Sequence, residues 1–160
     1  MELFEALALW HLTKNGTENV FVCPQFSIAP NQWSCPDFVA LNLKEKIVSV
    51  VEVSTASFPR GLLNKVTRRD HYWLANLKDQ LSANGIIDSS WKRFQVVLYL
   101  REGAAKEFDK RFPGRNDVVI HSFEKMGHPW EWDWPSAKAL KEAQETTGNE
   151  SATEPNPSKS

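Results

Sequence analysis

Apolar residues recur along this chain with three different spacings, and each predicts a different element. From Glu2 to Lys14 they fall on almost every side (Leu3, Phe4, Leu7, Ala8, Leu9, Trp10, Leu12), which predicts a helix buried on several flanks and stopped by Asn15-Gly16. A short strand is expected around Val20 to Cys23. Pro24 and Pro30 make 25–34 an irregular loop. Two apolar runs, Asp37 to Leu43 and Ile47 to Ser54, flank a charged Lys44-Glu45 connection and read as a β-hairpin. Phe58-Pro59 then opens a long helix over 60–83, striped by Leu62, Leu63, Val66, Trp73, Leu77 and Leu81 and ended by Asn84-Gly85.

Beyond it, Phe94 to Leu100 is a continuous apolar strand of the kind buried on both faces. A short helix from Glu102 to the Pro113-Gly114 break and a strand over 117–123 follow. A further helix is expected from Ser136 to about Glu145. Strands alternating with helices from Ser49 onward imply an α/β fold whose sheet is at least partly parallel. The organisation is one domain over 1–145 and a polar, disordered tail over 146–160, which holds no large apolar residue.

Composition narrows the function classes. The chain has 160 residues and a formal net charge of -1, so any nucleic-acid contact needs a local patch rather than a globally basic surface. No apolar run approaches the ~20 residues of a membrane span, and "MELFEALALW" lacks the basic start of a secretory signal; the expectation is a cytoplasmic protein with no membrane contact. Cys23 and Cys35 have no metal-ligand spacing and read as free thiols, with a bridge between them as the minor alternative.

The hairpin carries the candidate chemistry. Pairing Leu43 with Lys46, or Asn42 with Ile47, sets Asp37 directly opposite Glu52, with side chains about 5 Å apart at Cβ. Ser54 shares that face because strand side chains alternate. An odd-length loop would instead separate the two acids. Two carboxylates so close cannot both stay ionised cheaply, and a divalent cation between them removes the conflict.

Pro36-Asp37, an apolar strand, a turn and then Val51-Glu52-Val53-Ser54 resemble the signature of the PD-(D/E)xK nuclease superfamily. The order helix, strand, hairpin, long helix, strand is similar to that family's core. The resemblance implies a restriction-endonuclease-like fold, with a mixed sheet of four to five strands flanked by helices. It also implies Mg²⁺-dependent (or Mn²⁺-dependent) hydrolysis of DNA phosphodiesters. Asp37 and Glu52 would be metal ligands, the Val53 carbonyl a further one, and Glu5 on the first helix the last of the shell. The family's lysine falls at Ser54. Some members carry it on the following helix, where Lys65, or less readily Arg60, would take its place.

The long helix adds a basic stretch. Between Arg60 and Trp73 the cations Arg60, Lys65, Arg68 and Arg69 face the single acid Asp70. Arg60, Arg68, Arg69 and Tyr72 therefore read as a phosphate-contacting patch for DNA, or else as a solvated helix face. Trp130, Trp132 and Trp134 could stack on bases but more often pack against a core or partner; His121 and His128 read as structural. With no length left for a separate sequence-reading domain, specificity would come from a homodimer, a partner protein subunit, or the shape of the DNA. The competing reading is a catalytically silent module of the same fold that binds nucleic acid or a protein. A small α/β enzyme on another substrate is the weakest, since no glycine-rich phosphate loop is present.

Overall fold

Five strands form one mixed sheet in the order β1-β2-β3-β4-β5, following the chain. The structure is a computed structural model and describes residues 3–14, 19–28 and 35–126. These lie in one compact unit, Met1–Met126. The expected helix from Ser136, the tryptophans at 130, 132 and 134, His128 and the polar tail fall outside the described residues.

Helix α1 (Leu3–Lys14) leads to β1 (Val20–Pro24), then to β2 (Phe38–Asn42) and β3 (Ile47–Ser54). After β3 come α2 (Arg60–Thr67), a π-helical turn (Asp70–Leu74) and α3 (Ala75–Ala83). The chain then runs through β4 (Arg93–Leu100), α4 (Glu102–Arg111), β5 (Val118–Ser122) and the one-turn α5 (Phe123–Met126). Strands β1, β2 and β3 pair antiparallel, whereas β3, β4 and β5 pair parallel through helical crossovers.

The hairpin closes with the longer of the two even loops. Asn42 pairs with Ile47, and Leu43 to Lys46 form the connection. The Asn42 side-chain oxygen accepts a hydrogen bond from the Glu45 N–H at 2.9 Å, and Lys46 takes the left-handed φ of 57° that completes the turn. Phe38 lies opposite Val51, so the same register extended by one residue sets Asp37 opposite Glu52.

Alternation along the strands divides the apolar residues between two layers. Val39, Leu41, Val48, Val50, Val96, Leu98 and Leu100 pack beneath Leu62, Val66, Trp73, Leu77, Leu81 and Phe108 of the helices that follow β3 and β4. Phe38, Ala40, Val51, Val97 and Tyr99 point to the other face and meet Ala8 of α1 and Phe123. Among the described residues the sheet covers this side of α1: Ala8 is fully buried, while Leu3 and Trp10 are exposed. Burial on several flanks, expected from its composition, is therefore not seen, because the sheet offers the helix one surface.

The helix expected without interruption over 60–83 is broken by the π turn. Its buried positions explain the break. Arg69, Trp73, Leu77 and Leu81 are separated by three successive steps of four, which would carry the stripe roughly 120° round an α-helix of 3.6 residues per turn. One wider turn absorbs the excess and keeps Trp73 and Leu77 on the sheet. At the far end, Gly85 adopts φ +68°, with Gly85 N–H bonded to the Ser82 carbonyl and Ile86 N–H to the Leu81 carbonyl. This is a Schellman stop, which an L side chain would strain.

Candidate metal and nucleic-acid site

The strand register brings Asp37 and Glu52 to one end of the hairpin, on the face that carries α2. Asp37 lies just before β2 and is half-buried. Its Oδ2 accepts the Val53 N–H at 2.7 Å, so the carboxylate takes over a ladder bond that β2 is too short to supply. In an extended strand the N–H and C=O of one residue leave on the same side, so the Val53 carbonyl also faces the Asp37 edge.

Glu52 is the more unusual of the pair. It is only 9% exposed, and its Oε1 has no hydrogen-bond partner. Lys65 of α2 stands 3.6 Å from that oxygen, close enough to pair with it and too far to hydrogen-bond. Burial pushes the Glu52 carboxyl up to about 7; Lys65 opposes the shift and Asp37 adds to it. The register that sets Asp37 opposite Glu52 accounts for the contribution of the second acid. Lys65 in turn lies 5.7 Å from the Tyr72 ring centroid and 5.8 Å from that of Trp73, so the π turn supplies two aromatic neighbours for its ammonium.

The remaining site residues are placed as follows. The Ser54 hydroxyl accepts the Ala56 N–H at 3.4 Å and shapes the exit from β3. Glu5 is half-buried on α1, the helix that covers the opposite face of the sheet. Among the described residues, no group of three or more His, Cys, Asp or Glu side chains gathers as a metal cage. Arg60 and Arg68 are exposed on or just beyond α2. Arg69, expected on the phosphate-contacting patch, is instead turned inward. It is 5% exposed, its Nε pairs with Asp117, and its Nη1 donates to the Val66 carbonyl at 3.2 Å. Its position on the sheet side of the helix dictates this, because a buried guanidinium must be paired. Tyr72 is half-buried under Lys65.

On the α1 face, sequence reasoning passed over a second polar cluster. His11 Nδ1 lies 3.0 Å from the Tyr99 hydroxyl, and the His121 ring stacks on Tyr99 at 5.0 Å. The three line a cavity of about 230 Å³ together with Ser49 and Gln95. Burial, then the neighbouring His11, drives His121 down to about 4; burial also pushes the Tyr99 phenol up. The members come from α1, β4 and β5, so no local spacing announces them. Cys23 and Cys35 are both free.

Fold and site together define an α/β domain with a buried glutamate, a half-buried aspartate opposite it and a helix-borne lysine at the end of its hairpin. Comparison with models of known protein families, with curated proteins and with solved structures finds no match. Among the described residues, no helix is long and apolar enough to cross a membrane.

Proposed function

We propose that this chain is a Mg²⁺- or Mn²⁺-dependent deoxyribonuclease with a restriction-endonuclease-like core. One observation carries the reading: Glu52 is buried beside Asp37, its Oε1 has no hydrogen bond among the described residues, and the Lys65 ammonium 3.6 Å away only partly offsets the cost of burying its charge. A buried carboxylate held this way costs stability, and such perturbed groups cluster at functional sites. The element order α1-β1-β2-β3-α2 to α3-β4 and the mixed sheet support the nuclease class over other α/β folds.

The donor set suits a hard divalent ion. Asp37 and Glu52 would hold it, with the Val53 carbonyl as a third oxygen; Mg²⁺ commonly takes one or two carboxylates and keeps its other positions for water and phosphate. When bound, the ion supplies a more acidic water and stabilises charge on the phosphate. Lys65 would serve as the motif lysine, since Ser54 occupies that lysine's usual place in the chain and the Lys65 ammonium lies 3.6 Å from Glu52. Its ammonium, steadied by Glu52 and the two rings, orients the attacking water or offsets charge building on the phosphate. Glu5 takes no part in this reading.

Incubating the purified protein with linear and branched DNA tests it. Cleavage should require Mg²⁺ or Mn²⁺, and Asp37→Ala should lower the rate by at least about a hundredfold, the scale on which losing a charge-stabilising group acts. Cleavage that persists in Asp37→Ala, or that never appears with either metal, would contradict the proposal. The second outcome would favour the silent module, for which Ser54 at the motif position is the supporting observation.

A further inference from the structure

Three aromatic side chains meet where the C-terminal half of α1 lies on the sheet. Tyr99 of β4 and His121 of β5 are register partners, and their rings stack with centroids 5.0 Å apart. His11 of α1 comes down on both: its ring centroid is 4.8 Å from that of His121 and 5.7 Å from that of Tyr99. Its Nδ1 lies 3.0 Å from the Tyr99 hydroxyl. Tyr99 is fully buried and His121 half-buried. Two imidazoles and a phenol thus fasten this end of the helix. Its earlier turns are anchored by Ala8 and by Phe4, whose ring meets that of Phe123 at 4.9 Å.

The fastening suits neutral imidazoles. A proton added to His11 makes Nδ1 a donor, and the Tyr99 hydroxyl must then turn its own hydrogen away. A proton on His121 puts a cation in a half-buried place, and protons on both rings set like charges against each other. Burial, then His11, already holds His121 down to about 4, against a usual 6.5. Once α1 lifts, water reaches both rings and their proton affinity returns toward the usual value, so acid favours the lifted form. Docking is complete above about pH 6.5 and is lost progressively as pH falls toward about 4.

The charged and titratable neighbours do not cancel this. Besides His11, α1 carries Glu5 and Lys14; β1 carries Cys23, and β4 has Arg93 at its far end. The hairpin turn brings Glu45 to the wall of the cavity that the two histidines line, but that residue is exposed, and water screens an exposed carboxylate. Short helix α5 brings Lys125 and Glu124, whose Oε2 accepts the Ser122 hydroxyl at 3.1 Å and the Glu102 N–H at 2.7 Å. The third described histidine, His71, is exposed on the π turn, so protonating it leaves the core beneath α2 and α3 packed.

We propose that His11, Tyr99 and His121 form an acid-released latch, which holds α1 on the sheet at neutral pH and frees it when both imidazoles are protonated, while the sheet itself stays folded. The latch is independent of any cleavage at the hairpin.

Two-dimensional NMR of the ¹⁵N-labelled full chain, titrated from pH 7.5 to pH 4, reads the helix and the strands separately. The α1 amide signals should leave their docked positions in one transition, and those of β3 and β4 should stay. His121→Phe keeps a ring against Tyr99 and takes no proton, so its α1 signals should hold throughout. His11→Gln alters the helix rather than the sheet and should remove the transition too. Tyr99→Phe keeps both imidazoles and loses the hydroxyl contact, so its transition should persist and move to higher pH. Signals of α1 that hold throughout in the unaltered protein, a transition unchanged in His121→Phe and His11→Gln, or loss of the β4 signals at the same pH overturns the latch.

Discussion

Glu52→Gln is expected to stabilise the metal-free protein at pH 8 by about 2 kcal/mol, and by much less at pH 5. The sign follows from the carboxyl's displacement. Its ordinary value is 4.5, and in the folded chain it is raised to about 7. Between those values the folded protein binds the proton that the unfolded chain has lost, so stability falls as pH rises through this window. Above it the penalty is complete. Glutamine has the same shape and no charge, so it escapes the penalty. The full displacement would correspond to somewhat over 3 kcal/mol at about 1.4 kcal/mol per unit, an upper figure that relaxation around the charged carboxylate reduces. His121 titrates in the opposite sense, losing stability as pH falls from its usual range toward about 4. It is common to both proteins and cancels in the difference. Urea unfolding at the two pH values reads the effect. The same variant should lose metal-dependent cleavage. A protein stabilised by a change that silences it is the expected mark of a carboxylate kept for function. Destabilisation at both pH values would mean instead that Glu52 serves the fold.

The second large effect concerns Arg69 and Asp117. Asp117→Ala should cost about 3 kcal/mol in the same unfolding experiment, because among the described residues it leaves the buried guanidinium with the Val66 carbonyl as its partner and no counter-charge. Arg69→Met, which fills the space without charge, should cost less, and adding it to Asp117→Ala should recover much of the loss. Arg69→Met should also leave the salt dependence of DNA binding unchanged, since the side chain does not reach a phosphate from inside the protein. A flattened salt dependence in this variant would return Arg69 to the nucleic-acid surface. The pair ties the helical layer after β3 to the start of β5, where the Asp117 carbonyl also accepts the Val96 N–H at 2.8 Å.

Much of the architecture was legible because its signals are local. The alternation in the hairpin, the unbroken run of β4 and the Asn84-Gly85 stop each act within a few residues, and each element appears where these place it. Arithmetic on the two strands ties the meeting of Asp37 and Glu52 to an even loop; the sequence leaves an odd loop open, and the structure has the even one. The π turn was also written in the chain, in three successive steps of four from Arg69, but the stripe was read as ordinary helix. What stayed hidden depends on partners distant in sequence. Nothing near Arg69 points to Asp117, and His11 gives no sign of Tyr99. Charge on a helix reads as exposed from the sequence, yet Arg69 is buried. The approach of Lys65 to Glu52 was suggested by family resemblance alone, since helix phase after a loop of uncertain length does not define which lysine turns back to the strand.

The most direct measurement is calorimetric titration of Mn²⁺ into the unaltered protein and into Asp37→Asn and Glu52→Gln, at pH 8, above the raised Glu52 value of about 7. One ion should bind the unaltered chain, and each single substitution should weaken it at least tenfold, because both acids hold the same ion. Binding that survives either change undiminished, or no binding to the unaltered chain, would contradict a shared metal at the end of the hairpin.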